Sequence, residues 1–375
     1  MTTADLRIPR DLYTALKTHV TQAQESAGYL LCGMIEDGER VVLLGREWWP
    51  VRPRYRLISS HGMAWHPNFD VAMLNRAQNE RLGCVLVHHH SGGSPQLSPT
   101  DRATCDSLLP FLSSEAPDRP HAFVVMGDRA AAGRVYRAGQ LVASLGDTAV
   151  VGSAIDRWPP APLAGLTSLR ASRVGVVSNC GGGFLTAQLV RSVSEAACVT
   201  VLAENFPSRE ALRALRECDV IVACLDRFQA RDDLNRFCKR YLIPLIDLGI
   251  EVALSHDSVP MTASIPGRIS KVQPDGPCLR CQGVVDDARL EHERGGRALG
   301  QLENPRLPDP AIITLNGVVA SIATTEVLQV LTGFAGGESP NCGWIYDGVT
   351  GVVERVEKRF RGCSVCVKER GVGDA

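Results

Sequence analysis

The segment VLVHHHSGGSPQLSPTDRATC, residues 85–105, places histidines, a serine and an aspartate at short distances behind an apolar run. Because side chains at i and i+2 of a strand point to the same side, His88 and His90 would face one point. Asp101 would lie in the first turn of a helix if Ser98 caps that helix. Two imidazoles and one carboxylate match a catalytic zinc site that keeps a fourth position for water.

Such a site would produce a nucleophile at neutral pH, because zinc lowers the pKa of its bound water to about 7. Glu25, at the end of the first predicted helix, is a suitable carboxylate for moving protons. Ser98 could donate a hydrogen bond to the oxyanion that forms on an attacked carbonyl. Two plainer interpretations stay open: a solvated histidine-rich loop beside a helix cap, and Ser98 acting as a helix cap alone.

Four of the 13 cysteines form two C-x-x-C pairs, Cys278 with Cys281 and Cys363 with Cys366. Two such pairs can close a tetrahedral tetrathiolate zinc site, whose role is structural because no ligand position stays open. The alternative is four unrelated thiols. The other cysteines are scattered singly, as is typical of small buried side chains in a reducing compartment.

The elements that must position these groups fall into two halves. In the first, the spacing of apolar residues predicts a helix over LRIPRDLYTALKTHVTQAQE, a hairpin with its turn at Asp37–Gly38, and a helix followed by a buried strand that leads into His88. In the second, strands alternate with helices, which predicts a doubly wound α/β sheet. The chain is therefore divided into residues 1–148, a linker at 149–165 in a proline-rich stretch, and residues 166–370.

A glycine-rich turn, in RVGVVSNCGGGF, opens the second half and could cradle phosphate at a helix N-terminus. Ser178 and Cys180 stand where the dinucleotide fingerprint has its first two glycines, which leaves Gly181 and Gly183. Glu204 ends the next strand at about the distance expected for a ribose ligand. Tight packing of the helix on the strand explains the glycines equally well.

Composition and charge exclude several classes of protein. The chain has 375 residues, 45% hydrophobic and 22% charged, which suits a protein of two globular domains. Its net charge of −1 creates no long-range attraction to nucleic acid or to an anionic membrane. We expect no apolar run near the ~20 residues of a membrane helix. The N-terminus lacks the basic head and apolar core of a signal peptide, so a cytoplasmic location is expected.

Glu25, His88-x-His90, Ser98 and Asp101 together resemble the JAMM motif of the JAB/MPN family of zinc metallopeptidases. The resemblance covers roughly residues 5 to 140 and implies an α+β metallopeptidase domain. It implies hydrolysis of the isopeptide or peptide bond after the C-terminal glycine of ubiquitin or a ubiquitin-like protein. In this family the two histidines and the aspartate hold Zn²⁺, the glutamate moves protons and the serine stabilises the oxyanion.

Stretches between about residues 165 and 368 resemble the ThiF/MoeB superfamily, the adenylating fold of ubiquitin-activating enzymes. They include DVIVACLDRFQARDDLNRFC, GRISKVQPDGPCLRC and CSVC. The resemblance implies a Rossmann-like ThiF-type domain with a four-cysteine zinc site, an ATP/Mg²⁺ site and a homodimer. By position, Asp226 matches the aspartate near the ATP phosphates and magnesium, and Arg231 and Asn235 follow it in the family's order.

The second half also departs from this family. Its glycine loop is altered, and the family's Asp-x-Asp after the second strand is replaced by LAEN. Only 21 residues separate Glu204 from Asp226, so the family's long ATP-binding segment is nearly absent. No cysteine lies between Cys281 and Cys342, where many relatives form a thioester. These departures predict a degenerate activating-enzyme fold that binds a modifier protein or forms a homodimer, and they argue against ATP and Mg²⁺ as cofactors.

The main prediction is a zinc-dependent peptidase that cleaves after the C-terminal glycine of a ubiquitin-like or sulfur-carrier-like protein. Its expected partners are that protein and enzymes of a conjugation pathway. The alternative is an ATP-dependent adenylyltransferase that activates such a protein and carries an attached processing peptidase. A third interpretation is a zinc-stabilised scaffold without enzymatic activity.

Overall fold

A computed structural model describes most of the chain. The described residues are 2–21, 26–37, 40–57, 64–89, 95–158, 172–178, 181–193, 198–202, 206–250, 253–254, 262–295, 313–334, 342–357, 359–360 and 362–374. The chain divides into two compact units. The first unit comprises Met1–Val151, Asp156–Leu169 and Arg370–Ala375, and the second comprises Gly152–Ile155 and Arg170–Glu369.

Up to residue 158 the chain forms ten strands and three α-helices in its described part, together with a 3₁₀ turn at Pro53–Tyr55. They are β1 (Thr2–Pro9), α1 (Arg10–Thr21), β2 (Ser26–Asp37), β3 (Arg40–Pro50), β4 (Arg56–Leu57), β5 (Ala64–Trp65), α2 (Pro67–Asn79), β6 (Gly83–His89), α3 (Pro99–Glu115), β7 (His121–Met126), β8 (Ala131–Arg137), β9 (Gln140–Val151) and β10 (Ile155–Trp158).

Eight of these strands form one sheet in the order β1-β3-β2-β6-β7-β8-β9-β10. Because β1 also pairs with β9 in parallel, the sheet closes on itself. One of its faces buries residues such as Leu6, Leu30 and Val87, against which α1 packs through Leu16. The other face buries Leu86 and Phe123 beneath α2 and α3. The sheet is thus the layer that carries β6 and its histidines.

Most of the elements predicted for the first half are present. The hairpin is confirmed, since Asp37 pairs with Arg40 across β2 and β3. The order of α2 followed by buried β6 is confirmed as well. The predicted first helix was wrong in its N-terminal part, because residues 6–9 belong to β1 and α1 begins at Arg10. In β1, Ala4, Leu6 and Ile8 are buried at the two-residue period of a strand.

The predicted linker at 149–165 begins inside regular structure. Strand β9 continues to Val151, and β10 adds a further strand at the edge of the same sheet. Trp158, at the end of β10, is 1% exposed and packs edge-on against Tyr13 of α1. Residues 149–151 and 155–158 are therefore strand rather than linker, and residues 159–165 lie outside the described part of the chain.

A short C-terminal segment of the first unit packs beside β2. Gly373 forms a parallel bridge with Met34, and the Asp374 backbone N–H donates to the Met34 carbonyl at 2.8 Å. A Cβ on Gly33 would lie only 2.1 Å from the Gly371 carbonyl oxygen, so this close approach of two backbones requires glycine. Arg46 fixes the segment further by donating to the Arg370 carbonyl at 2.6 Å.

After residue 172 the described chain forms nine strands and six α-helices. They are β11 (Arg173–Ser178), α4 (Gly181–Val193), β12 (Cys198–Leu202), α5 (Arg209–Arg216), β13 (Val220–Cys224), α6 (Phe228–Tyr241), β14 (Leu245–Ile250), β15 (Ala253–Leu254), β16 (Thr262–Ser264), β17 (Pro266–Val272), α7 (Asp287–Arg294), α8 (Ile313–Thr332), β18 (Cys342–Asp347), β19 (Val353–Glu357) and α9 (Ser364–Lys368).

Seven of these strands form a mixed sheet in the order β12-β11-β13-β14-β17-β18-β19. The first four run parallel and the last three add antiparallel pairs. One face packs on α4 and α8 through residues such as Val176, Ala187 and Val327. On the other face, Gly175 lies against Leu215 of α5 and Asp247 binds Arg231 of α6. Helices on both faces confirm the predicted doubly wound arrangement.

Helix α8 contradicts the expectation that no apolar run approaches the length of a membrane helix. At 20 residues and a mean hydropathy of 1.3 it is long and apolar enough to cross a membrane, by length and composition alone. In the fold, however, Val319, Ala323 and Val330 pack into the core of the second unit. Of the apolar stretch of α8, 39% is buried, so packing against the sheet accounts for the apolar residues of one helix face. It ends, as predicted, before Gly333, which has a φ of +64°.

Candidate functional sites

The first candidate site lies where β6 ends and α3 begins. In β6, His88 points to the same face as Leu86, and its ring centroid lies 6.3 Å from that of Phe123. The Nε2 atom of His88 lies 4.0 Å from the Oδ1 atom of Asp101 in the first turn of α3. Both side chains are largely buried, with 18% and 8% exposed. Residues that are separated by thirteen positions in sequence thus converge on one point.

A capping box at the start of α3 holds Asp101 in this position. The Ser98 Oγ accepts from the Asp101 backbone N–H at 3.1 Å, and the Asp101 Oδ2 accepts from the Ser98 backbone N–H at 2.8 Å. Pro99 occupies the first helical position, where its missing N–H costs nothing. The reciprocal bonds use Oδ2, so the other carboxylate oxygen, Oδ1, is the one directed at His88.

His88 and Asp101 have the donor atoms and the separation expected of two of the three predicted zinc ligands. Bonds of about 2.0–2.1 Å to zinc separate two tetrahedral ligand atoms by roughly 3.4 Å, close to the 4.0 Å observed between the ligand atoms of His88 and Asp101. A neutral imidazole and a carboxylate are also the usual donor set of a catalytic zinc. Glu25 and His90 lie outside the described residues, so their predicted roles stay predictions.

The second candidate site is the tetrathiolate cluster. The Sγ atoms of Cys278, Cys281, Cys363 and Cys366 all lie within 4.8 Å of one another. Cys278 and Cys363 are 3.4 Å apart, and Cys281 and Cys366 are 3.8 Å apart. Zn–S bonds of about 2.3 Å place tetrahedral sulfur atoms roughly 3.8 Å apart, whereas a disulfide needs about 2.05 Å. The cluster therefore has the geometry of a structural zinc site, as the cysteine spacing predicted.

Hydrogen bonds favour the thiolate form of Cys278, whereas the bond between Cys366 and Cys278 raises the pKa of Cys366. The Cys366 side chain and the backbone N–H groups of Cys281 and Arg280 bond to the Cys278 sulfur, and they lower the pKa of Cys278 to about 5. The Cys366 backbone N–H favours the charged form of Cys363 in the same way, although burial outweighs it and raises the pKa of Cys363. Backbone amides aimed at the sulfur atoms are what a bound metal requires to keep its ligands oriented.

The third candidate site is the carboxyl edge of the parallel strands, where doubly wound folds bind ligands. Here Gly181 and Gly183, which were predicted to form a glycine turn before the helix, lie in the first turn of α4 itself, and residues 179–180 lie outside the described residues. A Cβ on Gly183 would lie 2.2 Å from the Ser178 Cβ and 3.3 Å from the Cys224 Cβ. Close packing of α4 on β11 and β13 therefore requires glycine at position 183, whether or not a nucleotide binds at this edge. Glu204 lies outside the described residues.

Asp226 and Arg231, which were predicted to face a nucleotide, are placed very differently. Asp226 follows β13 and is exposed at the carboxyl edge. The Arg231 Nη1, in contrast, donates to both carboxylate oxygens of Asp247 at 2.6 Å, and Arg231 is only 8% exposed. The guanidinium of Arg231 therefore fixes α6 to β14, while Asp226 stays accessible to a ligand.

Asn235 and Asp247 show what the sequence analysis missed in this region. The Asn235 Oδ1 accepts from the Leu279 backbone N–H at 3.0 Å, which joins α6 to the first cysteine pair. Asp247 is fully buried and also accepts from the Arg268 Nη2 at 2.9 Å. A charged residue inside the apolar strand IPLIDLG was a usable signal, because a buried carboxylate must have a cationic partner.

The second unit is therefore a doubly wound α/β unit with a tetrathiolate cluster close to its C-terminal end. Residues 185–365 match the model of the ThiF family, so this part of the chain is a ThiF family domain. Residues 1–184, which include the His88–Asp101 site, lie outside that match. No curated protein matches the chain.

Several solved structures are similar to part of the chain. Escherichia coli MccB with ATP is 16% identical over 53% of this chain and 67% of that chain, with a TM-score of 0.39. Microcin C7 biosynthetic enzyme MccB in complex with N-formylated MccA is 17% identical over 53% and 68%, also at 0.39. Selenomethionine PaaA is 14% identical over 50% and 73%, at 0.35. At these identities and TM-scores the similarity gives no indication of function.

Proposed function

We propose that this chain is an ATP-dependent adenylyltransferase for the C-terminal carboxylate of a ubiquitin-like or sulfur-carrier protein, with a processing metallopeptidase in its first unit. The ThiF family domain at residues 185–365 is the observation that carries the proposal, and it supports ATP and Mg²⁺ as cofactors against the expectation drawn from the altered glycine loop and the shortened ATP-binding segment. The parallel order β12-β11-β13-β14 supports it, because the crossover connections diverge between β11 and β13 and such switch points bind nucleotides.

In the adenylation step, a carboxylate oxygen of the modifier's terminal glycine attacks the α-phosphorus of ATP. The bond from this phosphorus to the bridging oxygen breaks, and pyrophosphate leaves with the electron pair. Mg²⁺ would neutralise charge on the phosphates when it is bound. Asp226, an exposed carboxylate at this edge, would hold the ion. Backbone N–H groups at the start of α4, beginning at Gly181, would face the phosphates.

Exchange of labelled pyrophosphate into ATP tests this function directly. Full-length protein, ATP, Mg²⁺ and a ubiquitin-like protein with a free C-terminal Gly-Gly should give exchange that depends on the modifier. Asp226→Asn should reduce the rate at least ~100-fold, because it removes the metal's carboxylate. Asp287→Asn, at a carboxylate whose side chain is 82% exposed, is the matched control and should leave the rate unchanged. No exchange with any Gly-terminated modifier would refute the adenylation proposal.

The geometry of the first unit supports the processing function as a second activity. A Zn²⁺ held by His88 and Asp101, with His90 as the third predicted ligand, would supply hydroxide near neutral pH. Ser98 keeps its hydroxyl proton while its oxygen accepts from Asp101, so it can still donate to an oxyanion. Glu25 would take the proton of the attacking water and return it to the leaving amine. Cleavage of a precursor in this way would expose the glycine carboxylate for adenylation.

A fusion of the modifier to a short C-terminal extension tests the peptidase. The protein should release the extension after the glycine, which intact-mass analysis detects, and a chelator should abolish cleavage. Glu25→Gln should abolish cleavage while zinc stays bound, which distinguishes an enzyme from a zinc-stabilised scaffold. Unchanged cleavage in both His88→Ala and Asp101→Asn would overturn the assignment of the site. Because exchange and cleavage are separate assays, either activity can fail without the other.

A further inference from the structure

The segment Arg370–Asp374 lies as a strap on one edge of β2. Strand β6 pairs with β2 only as far as Cys32, which stands opposite Gly83. Beyond that point the described neighbour of β2 on this side is the strap, whose Gly373 forms a parallel bridge with Met34. Open strand edges readily pair with other chains, so the strap covers a surface that would otherwise be available for strand addition.

Polar contacts hold the strap at both ends. At one end the Asp374 Oδ2 accepts from the Glu36 backbone N–H at 3.3 Å. At the other end the Arg46 Nη1 donates to the Arg370 carbonyl at 2.6 Å, and the Arg370 guanidinium donates to Asp11. All of these contacts lie within the first unit, so the strap is part of that unit.

Glycine is required in the strap for two separate reasons. Gly371 and Gly373 have φ values of +66° and +67°, in the left-handed region that glycine adopts most easily. A Cβ on Gly373 would also lie 2.0 Å from the Met34 carbonyl oxygen, the acceptor for the Asp374 N–H. A single methyl group at position 373 should therefore release the strap from β2.

The tetrathiolate cluster anchors the chain just before the strap. Cys366 lies four residues before Arg370, and together with Cys363 it fixes the short helix α9. Five residues are too few for a helix that is stable by itself, and Cys363 makes no side-chain cap bond. Glu369 adds ion pairs with two partly exposed arginines of α6, and such pairs contribute little. Within the described residues, a metal held by the four thiols is therefore the main anchor of this segment.

Loss of the metal would lengthen the tether of the strap. With metal bound, the nearest fixed residue before Arg370 is Cys366. Without it, the nearest is Glu357 at the end of β19, thirteen residues before Arg370. The closure entropy of a flexible tether grows with the logarithm of its length, so the effective concentration of the strap at β2 falls about 6-fold. By thermodynamic linkage the docked strap strengthens metal binding by the same factor.

We propose that Arg370–Asp374 is a metal-controlled strap: metal in the tetrathiolate cluster keeps it on β2, and loss of the metal uncovers the edge of β2 from Gly33 to Glu36. The coupling runs through the covalent chain between Cys366 and Arg370. It does not depend on the function proposed above, because neither ATP nor a modifier protein takes part in it.

Cobalt substitution of the full-length protein tests the metal side of the coupling. Thiolate-to-cobalt charge transfer arises at the tetrathiolate cluster and not at a site of histidine and aspartate, so competition with a chelator at equilibrium reports the affinity of the cluster alone. Gly373→Ala should weaken cobalt binding about 6-fold. Gly139→Ala is the matched control, because Gly139 has a φ of +77° but no described atom beyond its chain neighbours within 4 Å of its Cβ position. It should stay within about 2-fold of the unsubstituted protein.

Hydrogen exchange tests the strap side. The backbone amides of Asp374 and Glu36 donate hydrogen bonds when the strap is docked, and mass spectrometry of the peptides that contain them follows their protection. Removal of the metal with a chelator should speed their exchange about 6-fold. The measurement is repeated in Asp101→Asn, so that metal loss at the first candidate site does not contribute. Gly373→Ala should exchange at the fast rate with and without metal.

Circular dichroism checks that each variant is folded before either measurement. If Gly373→Ala does not fold, a chain that ends at Glu369 takes its place in both. Cobalt affinity of the strap variant within about 2-fold of the unsubstituted protein would overturn the proposal. Exchange of the strap amides that does not respond to the metal would overturn it as well.

Discussion

His88 Nε2 and Asp101 Oδ1 lie 4.0 Å apart, and the carboxylate is held there by its own helix cap. The capping box makes one residue serve two purposes, because Oδ2 completes the start of α3 while Oδ1 is directed at the histidine. The helix start and the proposed metal site are therefore a single arrangement. Loss of the whole Asp101 carboxylate group should affect both, whereas loss of the Ser98 hydroxyl should mainly affect the cap.

We predict that Asp101→Asn lowers the zinc content from about two ions per chain to about one, because only the tetrathiolate site would remain filled. Asparagine keeps a side-chain oxygen for the capping box, so unfolding should change little. Metal analysis after gel filtration measures the content. Asp106→Asn, on an exposed face of α3, is the control and should keep both ions. About one zinc in the unsubstituted protein, even with zinc supplied, would contradict the site.

Ser98→Ala separates capping from metal binding. Loss of the hydroxyl removes the acceptor for the Asp101 N–H, which typically costs about 1 kcal/mol of stability. Urea unfolding of the full chain should show this loss, while the zinc content stays at that of the unsubstituted protein. Loss of zinc together with the cap would show that Ser98 is needed to hold Asp101 at the metal, and not for catalysis alone.

The sequence predicted the local geometry around Asp101 and the four cysteines, but it did not predict the long-range strand pairing of the first unit. Short spacings such as Ser98-x-x-Asp101 and the two C-x-x-C pairs specify geometry locally, so the capping box and the thiol cluster could be foreseen. The pairing of β1 with β9 joins residues about 140 positions apart, and no local pattern specifies such a partner. For that reason the local pattern indicates a helix where β1 lies and a linker where β9 ends.

The contacts of α6 were missed for a different reason. Arg231 and Asn235 matched a family pattern by position, yet they bind Asp247 and the Leu279 N–H. A match by position identifies a residue without showing which atoms it faces. The i, i+3, i+7 spacing of Asp232, Asn235 and Lys239 is that of one helix face. The spacing alone does not show that this face contacts the segment around Cys278.

We predict that Gly183→Ala destabilises the second unit by about 1–3 kcal/mol, the usual cost of overpacking. The new methyl carbon would lie 2.2 Å from the Ser178 Cβ, so α4 must move away from β11. Gly317→Ala is the matched control, because among the described residues no atom outside the adjoining helix backbone lies within 4 Å of the Cβ position of that helical glycine. It should be neutral or stabilise by about 0.5–1 kcal/mol. Equal effects of the two changes in urea unfolding would contradict the packing role of Gly183.

His121 should make the stability of the first unit depend on pH. Burial lowers the pKa of His121 from its ordinary value of 6.5, although the hydrogen bond to the Ala116 carbonyl opposes that shift. The fully buried ring accepts from the Cys84 N–H through Nδ1 at 3.2 Å, so it stays neutral in the fold. As the pH falls below about 6.5 the unfolded chain binds a proton that the folded chain does not, and stability decreases by up to about 1.4 kcal/mol per pH unit.

His121→Asn should remove this part of the pH dependence, measured by urea unfolding at several values between about pH 8 and pH 5. His66→Asn is the control, since His66 is an exposed helix cap and asparagine also caps well. That variant should keep the slope of the unsubstituted protein. A slope that stays the same in His121→Asn would show that other groups carry the pH dependence.

The buried carboxylate of Asp247 holds two arginines, and its loss should be the most damaging single change in the second unit. Asp247→Asn would leave Arg231 and Arg268 without their counter-charge, and breaking a buried ion pair in this way costs about 3–5 kcal/mol. Asp287→Asn breaks an exposed pair with Arg280 and should cost at most about 1 kcal/mol. The comparison is made by urea unfolding of the full chain. If Asp247→Asn were as mild as Asp287→Asn, Arg231 would not depend on Asp247, and its assignment as an anchor between α6 and β14 would be wrong.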